Sequence, residues 1–159
     1  MAVYESNIEI AWYDATPASL VELTRRSTSD SFSWADLVSD STPGSGLCDV
    51  VASADSSQFL GVSLSTLDGA TDTLSKVLIA MKAVLKVPLA AGQTTVYIGE
   101  AAAWATGANG TKWTFNNTAT EAIAHCLSGS IAASATGRFI IDPYSIRAVT
   151  LLGYFELVA

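Results

Sequence analysis

The chain has 159 residues, 50% hydrophobic and only 14% charged, with fifteen acidic residues against eight basic ones and a formal charge of −7. One domain of this length buries roughly 70% of the surface its unfolded chain exposes, and the apolar fraction is far too high for a disordered polymer. The acidic balance argues against direct nucleic-acid binding, which needs clustered Lys and Arg to neutralise phosphates.

The start, Met1 to Glu9, has neither a basic segment nor an apolar run, so no secretory signal is visible and synthesis in the cytoplasm is expected. Four weakly marked strands are expected in the first half: Ile8 to Tyr13, Ser19 to Thr24, Trp34 to Val38, and Phe59 to Ser63. Charge divides the chain unevenly. No Lys or Arg lies between Arg26 and Lys76, while Asp30, Asp36, Asp40, Asp49, Asp55, Asp68 and Asp72 all fall there. That stretch is rich in Ser and Thr around Pro43-Gly44-Ser45-Gly46 and reads as long surface excursions, either solvated loop or an acidic contact surface.

Lys76 to Leu89 carries the clearest periodicity. Every odd position from Val77 to Leu89 is apolar, and Lys76, Lys82 and Lys86 all occupy even positions. A period of two places all the charges on one face of a strand, whereas a helix over Leu78, Met81 and Leu85 sets Lys82 in its apolar arc. One long strand is expected, with Val77, Ile79, Met81, Leu85 and Val87 on its core face. Lys82, Lys86 and Pro88 interrupt the apolar run well short of the ~20 residues that span a bilayer, so no membrane partner is expected.

Further strands are expected over Thr94 to Ile98, Thr120 to Leu127, Gly137 to Ile141 and Ala148 to Val158, each bounded by turn residues or the chain end. Alanine-rich Glu100 to Ala105 and Gly129 to Thr136 read as helical turn or loop. The sum is an all-β fold, mainly β with short helical turns: a small β-barrel or β-sandwich-like domain with extended terminal arms. Residues 1–33 hold an N-terminal arm and the first strands, residues 34–142 a β-rich body, and residues 143–159 a C-terminal strand or arm.

Motifs for chemistry are sparse. His125 is the single histidine and neighbours Cys126 on an expected strand, where adjacent side chains point to opposite faces, so the two cannot form a catalytic dyad. Cys48 and Cys126 form no CxxC pair and read as small buried hydrophobes. Gly69 to Lys76 has the lysine of a phosphate loop but lacks its second glycine, and Asp68 and Asp72 lack a partner base or metal shell. No catalytic, cofactor-binding or metal-binding residue is assigned, and no enzyme activity is expected. Trp12, Trp34, Trp104 and Trp113 are read as interface anchors, stacking platforms or core, with Trp104 and Trp113 bracketing the turn Thr106 to Thr111.

The order of Phe59-Leu60-Gly61-Val62-Ser63, the Asp68-Gly69 turn, Val84 to Leu89, Ala91-Gly92, Val96-Tyr97-Ile98 and Gly137 to Ile141 resembles the small capsid decoration, or cement, proteins of tailed bacteriophages. The likeness covers about residues 34 to 141 and is a rhythm of hydrophobic and glycine positions. It departs at Ala83, where glycine is common, and at Ala122-Ile123-Ala124, which lacks the usual glycine. The resemblance implies a structural virion protein on the outer capsid surface, binding across joints between major capsid protein subunits, commonly as a homotrimer and without a cofactor. Trp12, Trp34 and the apolar C-terminal residues Leu151, Leu152, Tyr154, Phe155 and Leu157 are the candidate interface on that reading. A glycan- or host-surface-binding β module of a virion, gripping sugar with Trp34, Trp104 and Trp113, is the competing expectation, and a small β-barrel hydrolase a third.

Overall fold

The computed structural model describes residues 8–40, 46–50, 59–92, 94–106, 113–116 and 124–142, and within these the chain is all β apart from one 3-10 turn, Pro17–Ser19. A closed five-stranded barrel is built from β2 (Leu20–Arg25), β3 (Leu37–Asp40), β4 (Leu47–Val50), β5 (Phe59–Ser63) and β6 (Lys76–Ala80). Its pairs are antiparallel except β2 with β4, and the order around the wall is β2-β4-β3-β5-β6. Beside it lies a six-stranded sheet in the order β1-β7-β13-β11-β9-β10. Its members are β1 (Glu9–Tyr13), β7 (Ala83–Pro88), β9 (Ala101–Thr106), β10 (Trp113–Asn116), β11 (Ala124–Cys126) and β13 (Thr136–Ile141). A short ribbon of β8 (Val96–Tyr97) and β12 (Ser130–Ile131) completes the described strands.

The period of two over residues 76 to 89 is present, but the run is two strands. Val77, Ile79, Ala83, Leu85, Val87 and Leu89 are buried, while Met81 is half-buried at a break formed by Met81 and Lys82. The break is pinned from outside: the Met81 amide donates to the Ser19 carbonyl, and the Asp14 amide to the Lys82 carbonyl. β6 therefore belongs to the barrel and β7 to the sheet, so the expected single strand is corrected to a bend that joins two layers. Ala83, where the resemblance favours glycine, is fully buried just after that bend.

Packing ties the layers together. Phe32, Val38, Cys48, Leu67, Val77 and Ile79 make one core with the barrel strands. A larger core joins Ala35, Leu37, Phe59 and Val62 to Leu85, Ala124, Cys126, Phe139 and Ile141 of the sheet. Leu37 and Val38 are adjacent yet both fully buried, because β3 contributes to both cores. Each such aliphatic or aromatic side chain stabilises the fold by about 1.5–3 kcal/mol on burial.

The acidic middle third, expected as long surface excursions, also supplies three barrel strands, β3, β4 and β5, between its described turns. Its aspartates are largely structural. Asp72 Oδ2 accepts the Asp68 amide at 2.6 Å and Asp68 Oδ1 the Ala70 amide at 2.8 Å, closing a tight turn. Arg26 bridges Asp30 and Asp49. Arg25, only 2% exposed, donates to the Asp30 and Asp72 carbonyls and so fastens two loops to β2. Residues 41–45 and 51–58, with Asp55, lie outside the described residues. Of segment 1–33, residues 1–7 lie outside the described residues, while β1 pairs with β7 and β2 with β6. Glu100 to Ala105, expected as helical turn or loop, is mostly β9; Gly129 to Thr136 contributes β12 and a turn.

Gly61 sits where the packing leaves no room for a side chain. A β-carbon there would stand 2.2 Å from the Ala80 carbonyl oxygen, on the neighbouring strand at the bend. Gly92 also has positive φ but faces open space. Gly61→Ala is expected to lower the free energy of unfolding in urea by more than 2 kcal/mol, and Gly92→Ala by about 1 kcal/mol, a difference that equal losses would contradict.

Candidate functional site

Trp12 is presented by a defect in β1. The register with β7 slips between Ile10, opposite Leu85, and Trp12, opposite Val84, leaving Ala11 as the extra residue of a bulge. Without it Ile10 and Trp12 would share a face. With it Ile10 and Tyr13 pack on the core while Trp12 turns outward, 49% exposed. On that outer face the register lines up Trp12, Val84, Ile140, His125 and Ala101 across five strands. Val84, Ile140 and His125 are half-buried, so this is an apolar row flanked by the exposed Lys86–Glu9 ion pair at 3.0 Å.

Trp34 is presented by a strained turn. The Ser33 amide donates to Asp36 Oδ2 at 2.7 Å, the Asp36 amide to the Ser33 carbonyl, and Ala35 between them takes φ of 71°. A non-glycine residue in that region costs about 1–3 kcal/mol. Fully buried Ala35 holds its place by packing in the shared core and by donating its amide to the Ser63 carbonyl. Trp34 is left 48% exposed, with its ring edge-on to Tyr13 at a centroid distance of 6.3 Å. Trp12 thus lies in β1, an end strand of its sheet, and Trp34 packs against Tyr13 of the same strand.

Leu151, Leu152, Tyr154, Phe155 and Leu157 lie outside the described residues. Trp104 and Trp113 bracket the β9–β10 hairpin, Trp104 opposite Phe115 and Trp113 opposite Thr106. A second exposed apolar group was not legible in the sequence. The Ile98 amide donates to the Gly129 carbonyl and the Gly99 amide to the Cys126 carbonyl, drawing Tyr97 and Ile98 toward exposed Leu127. The available signal was the outward position of Tyr97 beside inward Val96.

His125 and Cys126 face opposite sides of β11: His125 is half-buried in the outer row, and Cys126 is buried with its thiol against the Ser128 carbonyl. Burial raises the pKa of both thiols, that of Cys48 to about 11, which keeps them protonated and unreactive. Among the described residues no three His, Cys, Asp or Glu side chains gather as a metal site. A depression of about 520 Å³ lies at the Met81–Lys82 bend, lined also by Asp14, Ala18, Ser19 and Asp142. The Asp14 carboxylate is held below its usual range, first by the Thr16 amide, then by the Ser19 hydroxyl and other smaller contributions. Comparison with models of known protein families gives no match, and neither does comparison with curated protein sequences.

Asp36 is the titratable group on which the Trp34 turn depends. Burial pushes its pKa up to about 6, against the weaker opposing effect of the Ser33 hydrogen bond. An acid with a raised folded-state pKa destabilises the fold above that pKa, and the penalty is relieved as pH falls from about 6 toward the unfolded value near 4. The penalty at neutral pH is about 3 kcal/mol. Asp36→Asn keeps an oxygen for the Ser33 amide and removes the charge. It is expected to raise the urea midpoint at pH 7.5 and to flatten stability between pH 4 and 6; a lower midpoint at pH 7.5 would show that the ionised carboxylate is what holds the turn.

Proposed function

We propose that this protein is a structural component of a bacteriophage virion that decorates the outer capsid surface and stabilises it by binding across joints between major capsid protein subunits. The observation that carries the reading is the pair of half-exposed tryptophans at β1, Trp12 within it and Trp34 against its Tyr13, each held outward by a local feature that costs stability, a bulge and a strained turn. A monomer with no partner gains nothing from either. Large rigid aromatics at a surface supply contact area at low entropic cost, as interface anchors do.

The resemblance supports the same reading at the level of scaffold. Phe59 to Ser63 is β5, Val84 to Pro88 falls in β7, Val96-Tyr97 is β8 and Gly137 to Ile141 falls in β13. Of the residues that carry the rhythm, Phe59, Val62, Leu85, Val96 and Phe139 are buried and Gly61, Gly69 and Gly137 sit where a neighbour approaches closely, while Gly92, Tyr97 and Ile98 are exposed. On this account the protein needs no catalytic centre, works as a homotrimer on a symmetric shell, and touches neither nucleic acid nor membrane.

The test uses purified protein and shells lacking it. Light scattering is expected to give a trimer, and co-sedimentation to give saturable binding to the shell exterior. Trp12→Ala is expected to weaken binding at least tenfold with little change in melting temperature, and Trp34→Ala to weaken binding while losing about 1 kcal/mol of stability with the Tyr13 contact. A strict monomer that ignores every capsid surface overturns the proposal, and saturable binding to a glycan array in its place would favour the sugar-binding alternative.

A further inference from the structure

The outer face of the six-stranded sheet carries a charge without a partner. Lys86 stands between buried Leu85 and Val87, and Arg138 between buried Gly137 and Phe139, so both side chains point outward. The register sets these two directly opposite each other on β7 and β13, with Glu9 of β1 on the far side of Lys86. Glu9 takes Lys86 at 3.0 Å. Arg138 is exposed, and its guanidinium has no ion-pair or hydrogen-bond partner among the described residues. Like charges directly opposite on adjacent strands cost stability, so an arginine at this position works against the isolated sheet.

Apolar side chains border this charge on two sides. Ile140, two residues along β13, belongs to the row that runs through Val84 to Trp12. On the other side the Leu127 amide donates to the Arg138 carbonyl, and Leu127 is exposed, with Tyr97 and Ile98 drawn toward it. One unclaimed cation thus stands among large apolar groups, and aromatic residues together with arginine are what dominate protein interfaces. The complement of such a face is a carboxylate set among apolar side chains on another protein. A nucleic acid or a sulfated glycan needs clustered cations, whereas here Arg138 stands beside a Lys86 already paired with Glu9, on a chain of net charge −7.

We infer that the outer face of the sheet, from Trp12 to Leu127, docks an acidic, apolar protein surface, and that Arg138 receives a carboxylate of that partner. Trp12, Val84 and Ile140 supply contact area and exclude water, and in the dried contact the guanidinium forms a charge-assisted pair stronger than one in solvent. The Ala11 bulge serves this face, because it is what brings Trp12 to the same side as Arg138. On the proposed function, on which this rests, the partner is the major capsid protein, and its carboxylate lies beside the apolar surface that takes Trp12.

Co-sedimentation with shells lacking the protein compares the unaltered chain with Arg138→Glu and with Lys76→Glu, two variants that change net charge equally. Arg138→Glu is expected to bind at least tenfold more weakly, and Lys76→Glu, in β6 of the barrel, to bind as the unaltered chain does. The new carboxylate faces Lys86, so Arg138→Glu is expected to melt no lower than the unaltered chain. Should it melt lower, Arg138→Gln takes its place, with the same weakening expected. Equal binding by all variants overturns the inference and leaves the capsid reading standing. If the unaltered chain ignores the shells, the capsid reading fails, and NMR shifts during titration with a peptide of alternating Glu and Phe decide the inference. Saturable shifts at the Arg138 and Ile140 amides and the Trp12 indole that Arg138→Glu abolishes support it, and their absence overturns it. Saturable binding of heparin that depends on Arg138 overturns the protein partner in favour of a polyanion.

Discussion

The core shared by Leu37, Phe59 and Val62 of the barrel with Leu85, Phe139 and Ile141 of the sheet is the constraint on which the rest depends. It requires β3 to be apolar on both faces and β6 to hand over to β7 at a bend, with Gly61 admitting the Ala80 carbonyl where the two layers meet. It also seats Ala35, and through Ala35 the strained turn that carries Trp34. Packing energy spread over the seventeen buried residues of that core offsets a local backbone strain of about 1–3 kcal/mol. The exposed Trp34 is thus supported from beneath by the same atoms that hold the fold.

Two departures from regular structure set where the exposed tryptophans stand. The Ala11 bulge and the positive φ at Ala35 each turn one tryptophan outward beside the same strand. Asp36 adds a titratable clasp to the second, so the turn is held by a buried carboxylate whose charge works against the fold. On the proposed function, the strain and buried charge retained at this turn are stability given up for the presentation of Trp34.

Much of the scaffold was readable because its strands bury alternate residues. The period of two over residues 76 to 89 held on both sides of the bend, and Phe59 to Ser63 matched β5. The bend itself left no mark, since Met81 and Lys82 continue the alternation and are held at the break by the Met81 amide on the Ser19 carbonyl and the Asp14 amide on the Lys82 carbonyl. β4 was missed because Leu47–Val50 is four residues long and lies in an acidic, serine-rich stretch. β9 was missed because its alanines favour helix in isolation, and pairing with β10 and β11 overrides that preference. Trp12 and Trp34 could be named from residue type alone, but a one-residue register slip and a buried clasp are set by the partner strand and the core, which a single sequence does not display.

The central claim is that barrel and sheet are one cooperative unit through their shared core, and scanning calorimetry tests it most directly. The account predicts a single transition whose calorimetric enthalpy equals its van't Hoff enthalpy, and a single, lower transition for the barrel substitution Val62→Ala. Two separate transitions, or a Val62→Ala variant in which the barrel melts while the sheet keeps its original melting temperature, would contradict it.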